Sequence, residues 1–380
     1  MSTQPADSDR PFRFFDNREK YLLFVTTCGE KWAVAERIGR EIEQIQPTPP
    51  ALKLFDAGTG DGSVLASVLR DLHGRFPTVP FLAVGKEISL EDVRLTLGKL
   101  ADRFSEHPET VVVMTNLHYR EAPWLQPETP EKQAALNWQT VELEGHTAHD
   151  FDAQLYELGP RLRDWWEVRT SKRSGNPVYV QPSVLVIYRA DQRFILDGVI
   201  PPKARFAANY DLVIAAQPYR ARQSAEQKVR LVLEPLARSL AESGRMITIQ
   251  ATGQDPGMEI IRSVWPEEHP FQTPGPMLVR VLLERLAASA PGARYEADSD
   301  DQSLFRYGLH VMPTEVEEHI GTSTLLAAWN AAVYVAQIDD DQVSEAMTTS
   351  VYLDAAREVL ARHGGLWFID ESFVIVRQPG

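Results

Sequence analysis

The chain has a single cysteine, Cys28, so it can form no disulfide within itself and no multi-thiolate zinc site; a reducing, cytoplasmic setting suits it. It also lacks any run of ~18 uninterrupted apolar residues, the length a membrane-spanning helix needs. The best run, Leu325 to Ile338, is interrupted by Asn330 and Gln337 and reads as a buried helix, a substrate-pocket wall or a dimer interface. Met1 to Arg10 has no apolar h-region and carries Asp7 and Asp9, the pattern of a frayed tail and not of a signal peptide. Positive charge is in deficit, 39 Lys and Arg against 53 Asp and Glu, a net charge of −14. Such a field repels phosphate backbones and argues against a general nucleic-acid binder, while leaving a cationic ligand open. His107, His146, His149, His269 and His319 lack the paired spacing of a metal-ligand helix, so no metal site is expected.

What is present is 380 residues with 43% apolar and 24% charged content, enough for one large globular domain or two modest ones. Asp16 to Ile45 has helical periodicity and ends at Pro47, Pro49 and Pro50. An alternation follows: strand Ala51–Phe55, a glycine-studded loop, helix Val64–His73, strand Phe81–Val84, a helix from Ser89 to about Phe104, and strand Thr110–Met114. It resumes with strand Asp211–Ala216, helix Ser224–Leu240 and strand Arg245–Gln250. Strands alternating with helices predict an α/β fold with a doubly wound, mostly parallel sheet.

Between the two blocks, residues 121–208 are too long for a structureless loop and predict an inserted α+β subdomain or a sheet extension, with a strand Thr140–Leu143, a helix from Asp150 to Val168 that Pro160 breaks, and a β-rich segment Val178–Tyr188. The organisation expected is thus a helical lead-in over 1–50, a core over 51–120 and 209–380, and the insertion. The C-terminal part reads as helices Met277–Ala288, Thr322–Ile338 and Glu345–His363, with strands Ser303–Val311 and Leu366–Val376. Trp165-Trp166, beside Arg161, Arg163 and Arg169, reads as the buried face of a helix with its solvated side.

Leu54-Phe-Asp-Ala-Gly58-Thr-Gly60-Asp-Gly62 carries the chemistry. Alternate glycines between a strand and a helix let backbone approach a nucleotide-like ligand where a Cβ would clash. Asp56 and Asp61 would repel a pyrophosphate at the helix N-terminus and favour a ligand bearing an ammonium and a sulfonium. Ser63 stands where a dinucleotide fingerprint needs glycine or alanine, and the Gly-Lys-Ser/Thr end of a Walker loop is missing.

In these residues the chain resembles the class I S-adenosylmethionine-dependent methyltransferases, whose first motif is an acid followed by alternating glycines. The resemblance implies S-adenosylmethionine as cofactor, held by Asp56, Gly58, Thr59, Gly60 and Gly62, with Glu87 on the ribose hydroxyls and Asn116 near the adenine amine. Glu87 lies 25 residues past Gly62, against the ~20 usual in related folds. Gln217-Pro218-Tyr219 is similar to the substrate loop of amino-group methyltransferases, with Ala216 in place of its first polar residue; it makes Gln217 and Tyr219 candidate substrate contacts. His118 is a candidate base, Tyr219 a second catalytic candidate, and His310 a candidate substrate contact. The expected activity is methyl transfer to a small-molecule acceptor. A protein methyltransferase, a non-catalytic S-adenosylmethionine-binding protein and a dinucleotide oxidoreductase are the alternatives.

Overall fold

A computed structural model describes residues 18–170, 177–203, 206–298, 303–310 and 320–380. The tail Met1–Arg10, Asp16, Val311, Pro313–Glu315 and His319 lie outside the described residues. The lead-in is two helices, α1 (Arg18–Thr27) and α2 (Glu30–Ile42), where periodicity predicts one. The break at Cys28-Gly29 has a tertiary cause: Gly29 N–H donates to Gly308 O at 3.0 Å, His310 N–H to Thr27 O at 2.7 Å, and Cys28 bridges Leu309.

The alternation then runs as expected through β1 (Leu52–Asp56), α3 (Ser63–Arg75), β2 (Phe81–Lys86), α4 (Leu90–Glu106) and β3 (Thr110–Thr115). The insertion holds α5 (Pro130–Ala134), β4 (Asn137–Leu143), α6 (Ala148–Tyr156), α7 (Gly159–Trp165), β5 (Val168–Thr170), β6 (Pro177–Tyr179) and β7 (Ser183–Arg189). Pro160 sits in the first turn of α7, where its missing N–H costs nothing. Trp165 and Trp166 are buried and Arg161, Arg163 and Arg169 exposed.

The second block is β8 (Tyr210–Ala216), α8 (Ala225–Lys228), a π-helical turn over Val229–Leu233, α9 (Glu234–Arg238) and β9 (Leu240–Ala251). The remainder is α10 (Pro256–Val264), α11 (Gly275–Ser289), β10 (Arg294–Asp298), β11 (Leu304–Gly308), α12 (Thr322–Val335), α13 (Asp340–Ala346), α14 (Val351–His363) and β12 (Trp367–Gln378). Gly364, at φ +67°, ends α14 and turns the chain into β12. No helix among the described residues is long and apolar enough to cross a membrane.

One sheet organises the molecule, in the order β10-β12-β9-β8-β1-β2-β3-β7-β4, with β11 also on β12. β3, β2, β1, β8 and β9 run parallel; β12 is reversed against β9, and β7 against β3. The insertion therefore extends the sheet beyond β3 through β7 and β4. Side chains alternate between the faces: Leu54, Ala83, Val112 and Ile214 pack under α2, α3, α4, α6 and α7, while Phe55, Val84, Val113 and Val213 pack under the π-helical turn, α9 and α11. A third cluster joins α1, α10, α12 and α14 at the start of β12. The strand order reverses between β1 and β8, and at such a switch point ligands bind outside the carboxyl ends of the strands.

Candidate functional site

The loop after β1 stands at that switch point. Ala57 N–H donates to Ile214 O of β8 at 2.9 Å, and the chain then turns through Gly58, Gly60 and Gly62 at φ +154°, +56° and +78°. A Cβ on Gly62 would lie 2.8 Å from Thr96 Cα, so this glycine lets α3 and α4 approach. A Cβ on Gly58 would meet nothing within 4 Å: this is the open side of the loop.

Two polar atoms in the loop are buried without a hydrogen-bond partner among the described residues, Asp56 Oδ2 and Thr59 Oγ1. Burial, reinforced by the Glu87 charge and opposed by Lys31 and by the nearby Thr59 hydroxyl, pushes the Asp56 carboxyl up to about 7. Asp61 behaves differently from its expected role. Its carboxylate accepts from Ser63 Oγ at 2.6 Å, Lys99 Nζ at 3.1 Å, and Ser63 N and Tyr21 Oη at 3.3 Å each. Burial raises its pKa, but the Ser63 bonds and the Lys31 and Lys99 charges outweigh this and hold it below the ordinary range. Asp61 thus tethers α1, α3 and α4 together, and the charge argument for a cationic ligand rests on Asp56 alone.

Glu87 follows β2 and points back at the loop. Its Oε2 accepts from Gly60 N at 2.7 Å, its Oε1 from Ile88 N at 2.6 Å and Ser89 N at 2.8 Å, and its backbone carbonyl from Trp166 Nε1 at 2.9 Å. The insertion is therefore latched to the end of β2. Asn116 is engaged in the same latch: its Nδ2 donates to Trp165 O and Gln181 O at 3.3 Å each, and its Oδ1 accepts from Ser183 N at 2.8 Å.

After β8, Gln217 takes a left-handed φ of +49° and donates from Nε2 to Asp370 Oδ2 at 3.3 Å. Tyr219 turns inward instead, buried, with its hydroxyl on Gln250 Oε1 at 2.9 Å and the Lys228 ammonium 4.7 Å from its ring. Its neighbour Pro218 accepts from Tyr119 Oη at 2.9 Å, and that ring lies 4.5 Å from the Lys86 ammonium, whose pKa burial lowers to about 8 against the pull of Glu87. His118 is exposed and its backbone starts the turn into Glu121 and Ala122. His310 is exposed beside the α1–α2 junction. Asn330 of α12 finds its partner in Lys20 O at 2.9 Å.

The structure thus brings Asp56, Gly58, Thr59, Gly60, Gly62 and Glu87 together, puts Gln217 on the neighbouring strand end, and draws Tyr219 and Asn116 into internal bonds. Sequence reasoning missed Tyr21, Lys31 and Asp370. Asp370 had a signal: with Glu371 and Ser372 it sets polar residues inside an otherwise apolar strand.

No family model matches the chain, and no curated protein matches it. Solved structures similar to it include one described as a sarcosine dimethylglycine methyltransferase from Galdieria sulphuraria, at 9% identity over 91% of this chain and 84% of that one, TM-score 0.36. Another is a geranyl diphosphate methyltransferase in complex with GPP and sinefungin, at 10% identity over 91% and 78%, TM-score 0.32. A third is a coclaurine N-methyltransferase bound to N-methylheliamine and SAH, at 10% identity over 98% and 73%, TM-score 0.29. These are distant likenesses. The fold itself is α/β, a mostly parallel sheet with helices on both faces, a reversed strand beside β9 and a glycine loop at the switch point.

Proposed function

We propose that the protein is an S-adenosylmethionine-dependent methyltransferase acting on a small-molecule acceptor. The observation that carries this reading is that Asp56 Oδ2, buried with no hydrogen-bond partner among the described residues, and the Glu87 carboxylate, which closes on Gly60 N and whose charge acts on Asp56, belong to one glycine loop. The residues fit such a cofactor: a buried anionic oxygen without a partner suits a cationic group, Glu87 supplies hydroxyl acceptors, and the glycine loop supplies close backbone approach. Asp56, Gly58, Thr59, Gly60, Gly62 and Glu87 would hold it. Asn116 is engaged at both ends of its amide in the docking of the insertion.

When bound, S-adenosylmethionine supplies an electrophilic methyl group. The protein's own task is alignment and exclusion of water. Tyr21 serves both, since its hydroxyl receives Asp61 N–H at 3.0 Å and so seats α1 on the loop. The Tyr119–Pro218 bond fixes the loop after β8 beside it. Ultraviolet crosslinking of methyl-labelled S-adenosylmethionine tests the placement: label is expected in peptides spanning Leu54–Gly62 or Leu82–Ser89. Label confined to other peptides overturns it.

A further inference from the structure

Beyond the cofactor residues, a second group of carboxyls gathers near the carboxyl ends of β8 and β9. Asp370, opposite Ala251 at the end of β9, is fully buried; Gln217 bonds its Oδ2, and its Oδ1 has no hydrogen-bond partner among the described residues. Glu30, at the start of α2, and Asp255, which caps α10 through Met258 N at 3.0 Å, add their charges to the same place. The cations facing them are Arg262, whose charge acts on Asp255, and Lys31, 3.0 Å from Glu30 Oε2 and 5.4 Å from the centroid of the Tyr21 ring. Its charge also acts on Asp56 and Asp370. Lys31 is paired with Glu30, and Asp61 with Lys99, whereas Asp56 Oδ2 and Asp370 Oδ1 have no hydrogen-bond partner among the described residues.

A buried carboxyl without a partner is costly to ionise and keeps its proton unless a positive group meets it; Asp56 at the switch point and Asp370 on β12 are two such places. A sulfonium cofactor at the glycine loop accounts for one. We infer that Asp370, with the Gln217 amide beside it, holds the ammonium group of the methyl acceptor, so that the acceptor is a small organic amine. This inference rests on the methyltransferase reading given above. Lys31 already sets one ammonium in this neighbourhood, beside the Glu30 carboxylate and near the Tyr21 ring. The Gln217 amide turns its N–H to Asp370 and so leaves its carbonyl to accept from the same ligand. Burial and the Glu30 and Asp255 charges push the Asp370 carboxyl well above its usual range, against Gln217 and Lys31; a bound ammonium favours its ionised form.

The test is calorimetric titration of methylammonium and 2-phenylethylammonium, each beside its uncharged alcohol, with and without saturating S-adenosylhomocysteine. The ammonium compounds are expected to bind at least about tenfold tighter than the alcohols, a difference of about 1.4 kcal/mol. Asp370→Asn is isosteric and is expected to abolish that preference while S-adenosylhomocysteine affinity stays within about twofold. Gln217→Leu is a second, independent variant, expected to weaken the ammonium compounds about fivefold or more; both effects exceed twice the RT scale of 0.59 kcal/mol or approach it. Equal binding of alcohol and ammonium, binding of neither, or a preference that survives in folded Asp370→Asn overturns the inference. Failure of S-adenosylhomocysteine to bind the wild type removes the methyltransferase reading instead, and the preference measured without it then decides the ammonium site alone.

Discussion

Glu87 accepts the backbone N–H of Gly60 at 2.7 Å, so the acid that ends β2 closes directly on the loop that follows β1. Its other oxygen caps the first turn toward α4 through Ile88 N and Ser89 N. One side chain thus shapes the loop and presents the acceptor that a ribose hydroxyl would meet.

Replacing Glu87 separates these roles. Glu87→Ala strands three backbone N–H groups and removes the ribose partner, so it is expected to weaken S-adenosylhomocysteine binding by about 10- to 100-fold, or about 1–3 kcal/mol. It is also expected to lower stability by a similar amount. Glu87→Gln keeps an oxygen for the backbone and is expected to recover most of the stability but less of the affinity. Urea unfolding and calorimetric titration on the same samples give both numbers.

Asp56 sets a pH dependence whose sign is fixed. Its folded pKa, raised by burial to about 7, lies above the ordinary 3.8, so the folded state binds the proton more tightly. Stability contributed by Asp56 is therefore full at low pH, falls as pH rises from about 4 to about 7, and is level above that. Asp56→Asn, which stays neutral, is expected to stabilise the empty protein by up to about 4 kcal/mol at pH 8 and by only about 1.5 kcal/mol at pH 5. Cofactor affinity of the wild type is expected to rise with pH through about 7, as Asp56 ionises to meet a cation, and to be flat in the variant. Thermal unfolding and titration across pH 5 to 8.5 check both.

Asn116 distinguishes docking from cofactor contact. Asn116→Ala leaves Trp165 O, Gln181 O and Ser183 N without their amide partner, and is expected to cost about 1–3 kcal/mol of stability. S-adenosylhomocysteine affinity of the folded fraction is expected to stay within about twofold, under 0.5 kcal/mol. Loss of affinity without loss of stability would place Asn116 against the adenine after all.

The glycines differ in kind. Gly62→Ala drives a Cβ to 2.8 Å from the Thr96 backbone and is expected to prevent α3 and α4 from packing, with loss of soluble expression. Gly58→Ala meets open space and pays only for its left-handed backbone, about 1–2 kcal/mol, so it is expected to fold and to bind cofactor poorly.

Much of this was legible beforehand. The βαβ blocks, the glycine loop and Glu87 depend on local periodicity and turn chemistry, which the chain writes plainly in Leu54–Gly62 and Leu82–Glu87. What was not legible depends on partners far away in sequence. The break between α1 and α2 is imposed by Gly308 and Leu309, and the engagement of Asp61 by Tyr21 and Lys99. Tyr219 looked like a substrate contact because its neighbours matched a loop pattern, yet its hydroxyl is committed to Gln250 on the adjacent strand. α10, with Pro256 in its first turn and only nine residues, offered too short a pattern to be seen.

The central claim is that the loop from Asp56 to Gly62 and the Glu87 carboxylate bind an adenosyl sulfur compound. Calorimetric titration of ligand-free protein with S-adenosylmethionine, S-adenosylhomocysteine and NAD tests it most directly. The account expects saturable, one-to-one binding of the first two, none of NAD, and marked weakening in Asp56→Ala and Glu87→Ala. Binding of NAD alone, or wild-type affinity in both variants, would contradict it.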